Sequence, residues 1–172
     1  MIWDLVIGDF TTHMAEKHTI SCLVENQFGV LARVSGLISA RAFNIDSLTV
    51  STTEDPTISR MTIVVDADAL KLEQVKRQLN RLIDVIDVQE LKEGEYLDRE
   101  LLLARVKANG QTKAGLETLA KRFGAKLADA TDHSVVIEAA GDTKMLDQLV
   151  EQLRPHGITK LVRTGRVALE KS

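Results

Sequence analysis

One order of apolar periodicities occurs twice along the chain, and it restricts the possible folds more than any single motif. Thr19 to Glu25 alternates, with Ile20, Cys22 and Val24 on one side, as a half-buried strand does. After Asn26-Gln27-Phe28-Gly29, the residues Val30, Val34, Leu37, Ile38 and Arg41 recur at helical spacing, and Leu31 widens the stripe. That helix should stop near Ala42-Phe43-Asn44. A strand from about Ile45 to Ser51, a polar turn at Thr53-Glu54-Asp55-Pro56, and a strand from Ile58 to Asp66 follow. Leu72, Val75, Leu79 and Leu82 then predict a second amphipathic helix, and Val85 to Leu91 a closing strand. The order is βαββαβ over roughly 75 residues, the ferredoxin-like arrangement. Both helices carry one apolar stripe and should cover one face of the sheet, leaving the other to a partner or a second copy.

From Glu93-Gly94-Glu95 the order begins again, with little residue identity to the first half. Leu101 to Lys107 predicts a strand, and Leu116, Leu119, Ala120 and Phe123 a helix. Two strands, Lys126 to Thr131 and Ser134 to Ala140, flank the turn at Asp132-His133. Met145, Leu146, Leu149, Val150 and Leu153 give a helix closed by Pro155-His156-Gly157, followed by a strand from Ile158 to Thr164. Val167 to Leu169 either prolongs that strand or forms a short tail. The fold class expected is α+β, with two ferredoxin-like βαββαβ domains over residues 14–93 and 94–172, joined at about residues 92–98. Residues 1–13 are expected to be an extension or a misplaced start outside the fold. They have neither the basic leader nor the small-residue cleavage site of a secretory signal.

Aromatic residues make up only 3% of the chain, so the cores must be built from Leu, Ile, Val and Ala, and stacking platforms for single-stranded nucleic acid are lacking. The 22 basic and 25 acidic residues are spread without a basic stripe, which argues against a nucleic-acid partner. No apolar run approaches the ~18–20 residues of a membrane span. A cytoplasmic location is expected. Cys22 is the single cysteine and allows no intrachain disulfide; its place in an alternating strand suits a small buried hydrophobe better than a nucleophile.

Catalytic patterns are missing. His13, His18, His133 and His156 have no metal-ligand spacing. Gly110 and Gly115 stand as the two P-loop glycines would, but Leu116-Glu117 replaces the required Lys-Ser/Thr. The acidic pairs Glu54-Asp55 and Glu93/Glu95 fall in turns, where solvation explains them. The segment that stands out is Glu25 to Leu31. Gly29 at a helix start leaves the first amides uncovered, and such donors attract a carboxylate. Asn26 can donate to a carboxylate or accept from an ammonium, and Asn44 offers a second amide that could face the loop of a neighbouring subunit. The competing reading is purely structural: Asn26 caps the helix, Gly29 eases a turn and Asn44 terminates helix one.

The stretch from Asn26-Gln27-Phe28-Gly29-Val30-Leu31-Ala32-Arg33 to Asn44-Ile45-Asp46-Ser47-Leu48-Thr49-Val50 resembles an ACT domain, an amino-acid-binding module of metabolic regulation. With Asp55-Pro56-Thr57-Ile58-Ser59-Arg60-Met61-Thr62-Ile63 it is similar to the small regulatory subunit of acetohydroxyacid synthase (AHAS), also called acetolactate synthase. In the second half, Asp98-Arg99-Glu100-Leu101 and Arg163-Thr164-Gly165 resemble that family's C-terminal domain. The resemblance implies a non-catalytic chain that binds no cofactor itself. Its partner would be a large catalytic subunit using thiamine diphosphate, Mg²⁺ and FAD to condense pyruvate with pyruvate or 2-oxobutyrate, toward valine, leucine and isoleucine. The small subunit would activate that partner and confer feedback inhibition by valine. The effector would sit between two ACT domains of a homodimer, with Asn26, Gly29, Val30 and Leu31 from one chain and Asn44 and Ile45 from the other.

Two alternatives stand beside this. A free-standing ACT-type sensor of another enzyme or a transcription factor would not need this second half or the Ser59-Arg60-Met61-Thr62 strand. A small ferredoxin-like enzyme would need converging titratable groups, which the sequence does not supply.

Overall fold

The computed structural model describes residues 16–40 and 43–171; residues 1–13, and Arg41 and Ala42 at the end of the first helical stripe, lie outside it. The first half contains β1 (Glu16–Glu25), α1 (Val30–Ser39), β2 (Asn44–Thr52), β3 (Ile58–Ala67), α2 (Ala69–Leu79) and β4 (Val85–Leu91). Its sheet has the order β2-β3-β1-β4 with antiparallel neighbours. The second half contains β5 (Tyr96–Lys107), α3 (Gly110–Arg122), β6 (Lys126–Ala130), β7 (Ser134–Gly141), α4 (Thr143–Leu153), β8 (Ile158–Arg163) and β9 (Val167–Glu170). Its sheet order, β6-β7-β5-β8, repeats the topology of the first. The chain is therefore α+β with βαββαβ used twice.

Each half has its own core. Ile20, Cys22 and Val24 of β1 and Met61, Ile63 and Val65 of β3 meet Val30, Val34 and Ile38 of α1 and Leu72, Val75 and Leu79 of α2. Leu102, Ala104 and Val106 of β5 and Val135, Ile137 and Ala139 of β7 meet Leu116 and Ala120 of α3 and four residues of α4: Leu146, Leu149, Val150 and Leu153. Burying each large aliphatic side chain contributes about 1.5–3 kcal/mol, enough to hold helices of this length that would be marginal alone. Three helices begin at side-chain caps. Asp68 accepts from the Lys71 amide and Asp142 from the Met145 amide, while Asn109 and Thr112 form a reciprocal capping box.

Several details differ from the sequence reading. Leu31 does not widen the α1 stripe: it is 46% exposed, because the core side of the helix is filled by Val30, Val34 and Ile38. Helix α1 ends at Ser39, before Ala42-Phe43-Asn44. Leu82 packs on the core from the turn after α2. The joint is shorter than residues 92–98, since Tyr96 to Arg99 already belong to β5. They are held there by β9, which is not a tail but prolongs the course of β8 along β5 after a short interruption: Val167 to Glu170 pair with Arg99 to Tyr96. Gly110 and Gly115 both lie within α3, so no loop exists there to cradle a phosphate.

The face of the first sheet opposite its helices is not wholly free. Thr19, Ser21, Thr62, Val64 and Leu91 lie on it and are buried, and the Tyr96 hydroxyl and Arg166 of the second half reach Thr19. The expectation of a face left to a partner or a second copy is corrected to that extent.

Candidate functional site

Glu25, the last residue of β1, starts a tight passage into α1. Its amide donates to the Asp84 carbonyl at 2.9 Å, and the Asn26 amide donates to the Thr57 carbonyl at 2.7 Å. Three turns of the first half are thereby tied at one end of the sheet: β1–α1, β2–β3 and α2–β4. The Asn26 side chain donates from Nδ2 to the Pro56 carbonyl at 2.9 Å, which leaves its Oδ1 available to accept. Asn26 does not cap the helix. The N-cap is Gly29, in the left-handed region at φ 82°, and no side chain caps the helix. Gly29 does ease the turn, and it also leaves the positive end of α1 open at an exposed position.

Arg33, one turn into α1, stands over that opening. Its Nη1 lies 3.1 Å from the position a Cβ on Gly29 would occupy, and its Nε donates to Asp84 Oδ2 at 2.7 Å. Uncovered amides, a fixed guanidinium and the Asn26 amide make this corner chemically suited to a carboxylate accompanied by a donor such as an ammonium. Val30 beside it is buried in the core, Leu31 offers an exposed apolar side chain, and Phe28 projects fully into solvent. Arg33 is not among the residues the sequence singled out for this corner. Its position four residues after Gly29 is the local signal, but Asp84, which aims it, is 51 positions away.

Asn44 and Ile45 lie at the opposite end of the sheet. Glu25 pairs with Ile58 and Asn44 with Asp66, so eight residues of β3 separate the two ends, on the order of 26 Å at about 3.3 Å per residue. Asn44 does not terminate α1. It opens β2, exposed, donating to Asp46 Oδ1 at 3.2 Å, and Asp46 is in turn paired with Lys17 at 2.6 Å. Ile45 is half-buried against the core. Within one chain the structure thus brings Asn26, Gly29, Val30 and Leu31 together and keeps Asn44 and Ile45 apart from them.

Cys22 is fully buried, and burial, with a smaller contribution from the Asp87 carboxylate, pushes its thiol up to about 12. It remains a neutral thiol and a filler of the core. Among the described residues no group of three or more His, Cys, Asp or Glu is placed to hold a metal, and no helix is long and apolar enough to cross a membrane. An open cleft of about 1090 Å³ runs between the halves, lined by residues such as His18, Glu90, Tyr96, Asp98 and Arg166; none of the six expected effector residues lines it.

The chain is similar to known proteins over nearly its whole length. Residues 20–87 match the family model of the AHAS small subunit-like ACT domain, and residues 99–172 that of the small subunit of acetolactate synthase. The chain is 47% identical over 153 residues to the probable acetolactate synthase small subunit of Archaeoglobus fulgidus, covering 89% of this chain and 96% of that protein. It is 40% identical over 156 residues to the acetolactate synthase small subunit of Haemophilus influenzae, covering 90% and 96%. Among solved structures, the acetolactate synthase small subunit of Thermotoga maritima superposes with a TM-score of 0.83 at 30% identity, covering 91% of this chain and 98% of that one.

Proposed function

The chain belongs to the acetolactate synthase small-subunit family, and on that premise we propose that it is the non-catalytic regulatory subunit of a cytoplasmic acetolactate synthase. In this reading it activates the large catalytic subunit and makes it sensitive to valine, or a related branched-chain amino acid, as feedback inhibitor. Thiamine diphosphate, Mg²⁺ and FAD belong to the catalytic partner.

The observation that carries the proposal is the position of β2. It is an edge strand of the first sheet, and it starts at the end of the sheet far from the β1–α1 turn. Two β2 edges paired antiparallel about a two-fold axis set the start of one against the finish of the other. Asn44 and Ile45 of one protomer then approach Asn26, Gly29, Val30 and Leu31 of its partner. Pairing the two edges also satisfies ladder groups that a lone edge exposes. The helix N-terminus and Arg33 suit a ligand carboxylate, the two asparagines its ammonium, and Leu31 and Ile45 an aliphatic side chain; Val30, whose side chain is buried in the core, can offer only its backbone. A site shared across a two-fold links occupancy to subunit placement, which an inhibitor with an allosteric coupling of about 1–3 kcal/mol requires.

The test is reconstitution. The purified chain is mixed with its large subunit, pyruvate and cofactors, and acetolactate formation is followed with and without valine. Stimulation followed by inhibition is the expected result; a folded chain that does not stimulate defeats the proposal. Asn44→Ala, which removes an exposed side chain, should weaken valine inhibition while leaving thermal stability within about 0.5 kcal/mol of the parent. Unchanged sensitivity would reject the role of Asn44.

A further inference from the structure

Strands β8 and β9 lie on the same edge of β5, interrupted by Thr164-Gly165-Arg166. Thr164 anchors this bulge: its amide donates to the Leu101 carbonyl at 3.0 Å, and its Oγ1 accepts from the Leu101 amide at 3.1 Å. Bulges redirect side chains, and this one points at the first half. Gly165 has φ 84°, and a Cβ there would lie 3.0 Å from Ser47 Cβ and 3.2 Å from Thr49 Oγ1. Only glycine fits both the backbone conformation and the approach to β2. Thr49 Oγ1 donates to the Thr164 carbonyl at 3.4 Å.

Arg166 completes the contact. Its side chain is 14% exposed. One guanidinium nitrogen donates to Thr19 Oγ1 of β1 at 2.6 Å and to the Tyr96 hydroxyl at 3.0 Å. The other two donate to Thr143 Oγ1, at the start of α4, at 3.3 and 3.1 Å, and Asp98 stands 3.6 Å away. A single planar fork thus joins β1 of the first half to β5 and α4 of the second.

We infer that the Thr164-Gly165-Arg166 bulge is the mechanical coupling by which effector occupancy on β2 reaches the second half of the chain, with Arg166 as its positioning residue. This rests on the effector reading of Asn44 and Ile45. Those residues open β2, and Ser47 and Thr49, which the bulge touches, follow on the same strand. A ligand that shifts the start of β2 moves the seat of Gly165. The Arg166 fork transmits the shift to Thr143 and β5.

The experiment compares valine binding to the chain, by calorimetry, with valine inhibition of the reconstituted complex. Arg166→Met keeps the length of the side chain and loses the fork. Thr19→Val preserves shape and removes only the acceptor in the first half. Both variants should bind valine within about threefold of the parent chain and stimulate the catalytic subunit normally, yet require at least tenfold more valine for half-inhibition. The double variant should be no worse than Arg166→Met, because the two residues act as one contact. In the parent chain valine should also change amide exchange at Val167–Glu170, and this change should vanish in both variants. Parent-like inhibition in the variants overturns the coupling. So does a loss of binding as large as the loss of inhibition, which would place these residues in the pocket or the fold. A parent chain that stimulates but binds no valine fails at the first titration, marking failure of the effector reading and of the coupling built on it.

Discussion

Gly29 illustrates how much one position can carry. Its positive φ and the closeness of Arg33 both oppose a side chain, and its exposure means that the core does not depend on it. Gly29→Asp would place a carboxylate at the open end of α1 under the Arg33 guanidinium, where the ligand's own carboxylate is proposed to bind. The expected outcome is a folded chain, destabilised by about 1–2 kcal/mol by the left-handed backbone at this position, that stimulates the catalytic subunit and no longer responds to valine. Undiminished inhibition of this variant would count against the site. Cys22 is the opposite case, a residue whose chemistry is suppressed by its place. With its thiol pushed up to about 12 and no solvent contact, it should react with an alkylating reagent at pH 8 only as fast as the first domain opens. Rapid labelling of the native chain would contradict the burial. Its alternating surroundings made Cys22 legible as a core residue in advance, whereas the role of Arg33 was not, because Asp84, which orients it, comes from another part of the chain.

At the scale of elements, the β2–β3 turn holds the site from behind. Asp55 Oδ1 accepts from the Thr57 amide at 2.8 Å and from its hydroxyl at 2.6 Å, which fixes the turn whose Pro56 carbonyl receives Asn26. The Thr57 side-chain bond, then its backbone bond, holds the Asp55 carboxyl below its ordinary value. A depressed folded-state value means that the stabilisation is fully present above the ordinary carboxylate range and is lost as pH falls through the depressed value. Exchange protection of the Thr57 amide should therefore be intact at neutral pH and collapse on acidification below about pH 4; Asp55→Asn should flatten that profile. Most strands and helices were legible from their periodicity of two or 3.6. The exceptions were β9 and the first residues of β5, whose pairing with each other is non-local, and the outward turn of Leu31, decided by which α1 residues fill the core.

The whole molecule is two ferredoxin-like units with separate cores, joined through Tyr96 and the Gly165–Arg166 bulge. Leu149→Ala in the second core should cost about 2–5 kcal/mol. Exchange protection should fall first in β5, β7 and β8 and persist in β1 and β3; equal loss in both sheets would mean that the bulge makes the chain one cooperative unit. The outer face of the second sheet carries Leu101, Leu103 and Val162, each more than a third exposed in the single chain.

The sequence alone determined the α+β class, the repetition of βαββαβ and the family, because amphipathic periodicity and the Asn44-Ile45-Asp46-Ser47-Leu48-Thr49-Val50 stretch are local properties of the chain. It also singled out Asn26, Gly29 and Asn44. Only the tertiary structure decided that Asn26 is tied to Pro56 rather than capping α1, that Arg33 overlooks Gly29, and that Asn44 lies a sheet's length from its expected companions. It alone decided that Arg166 closes on Thr19, 147 positions earlier. Each of these depends on strand register and on side chains meeting from distant segments, and such meetings leave no period in the sequence to read.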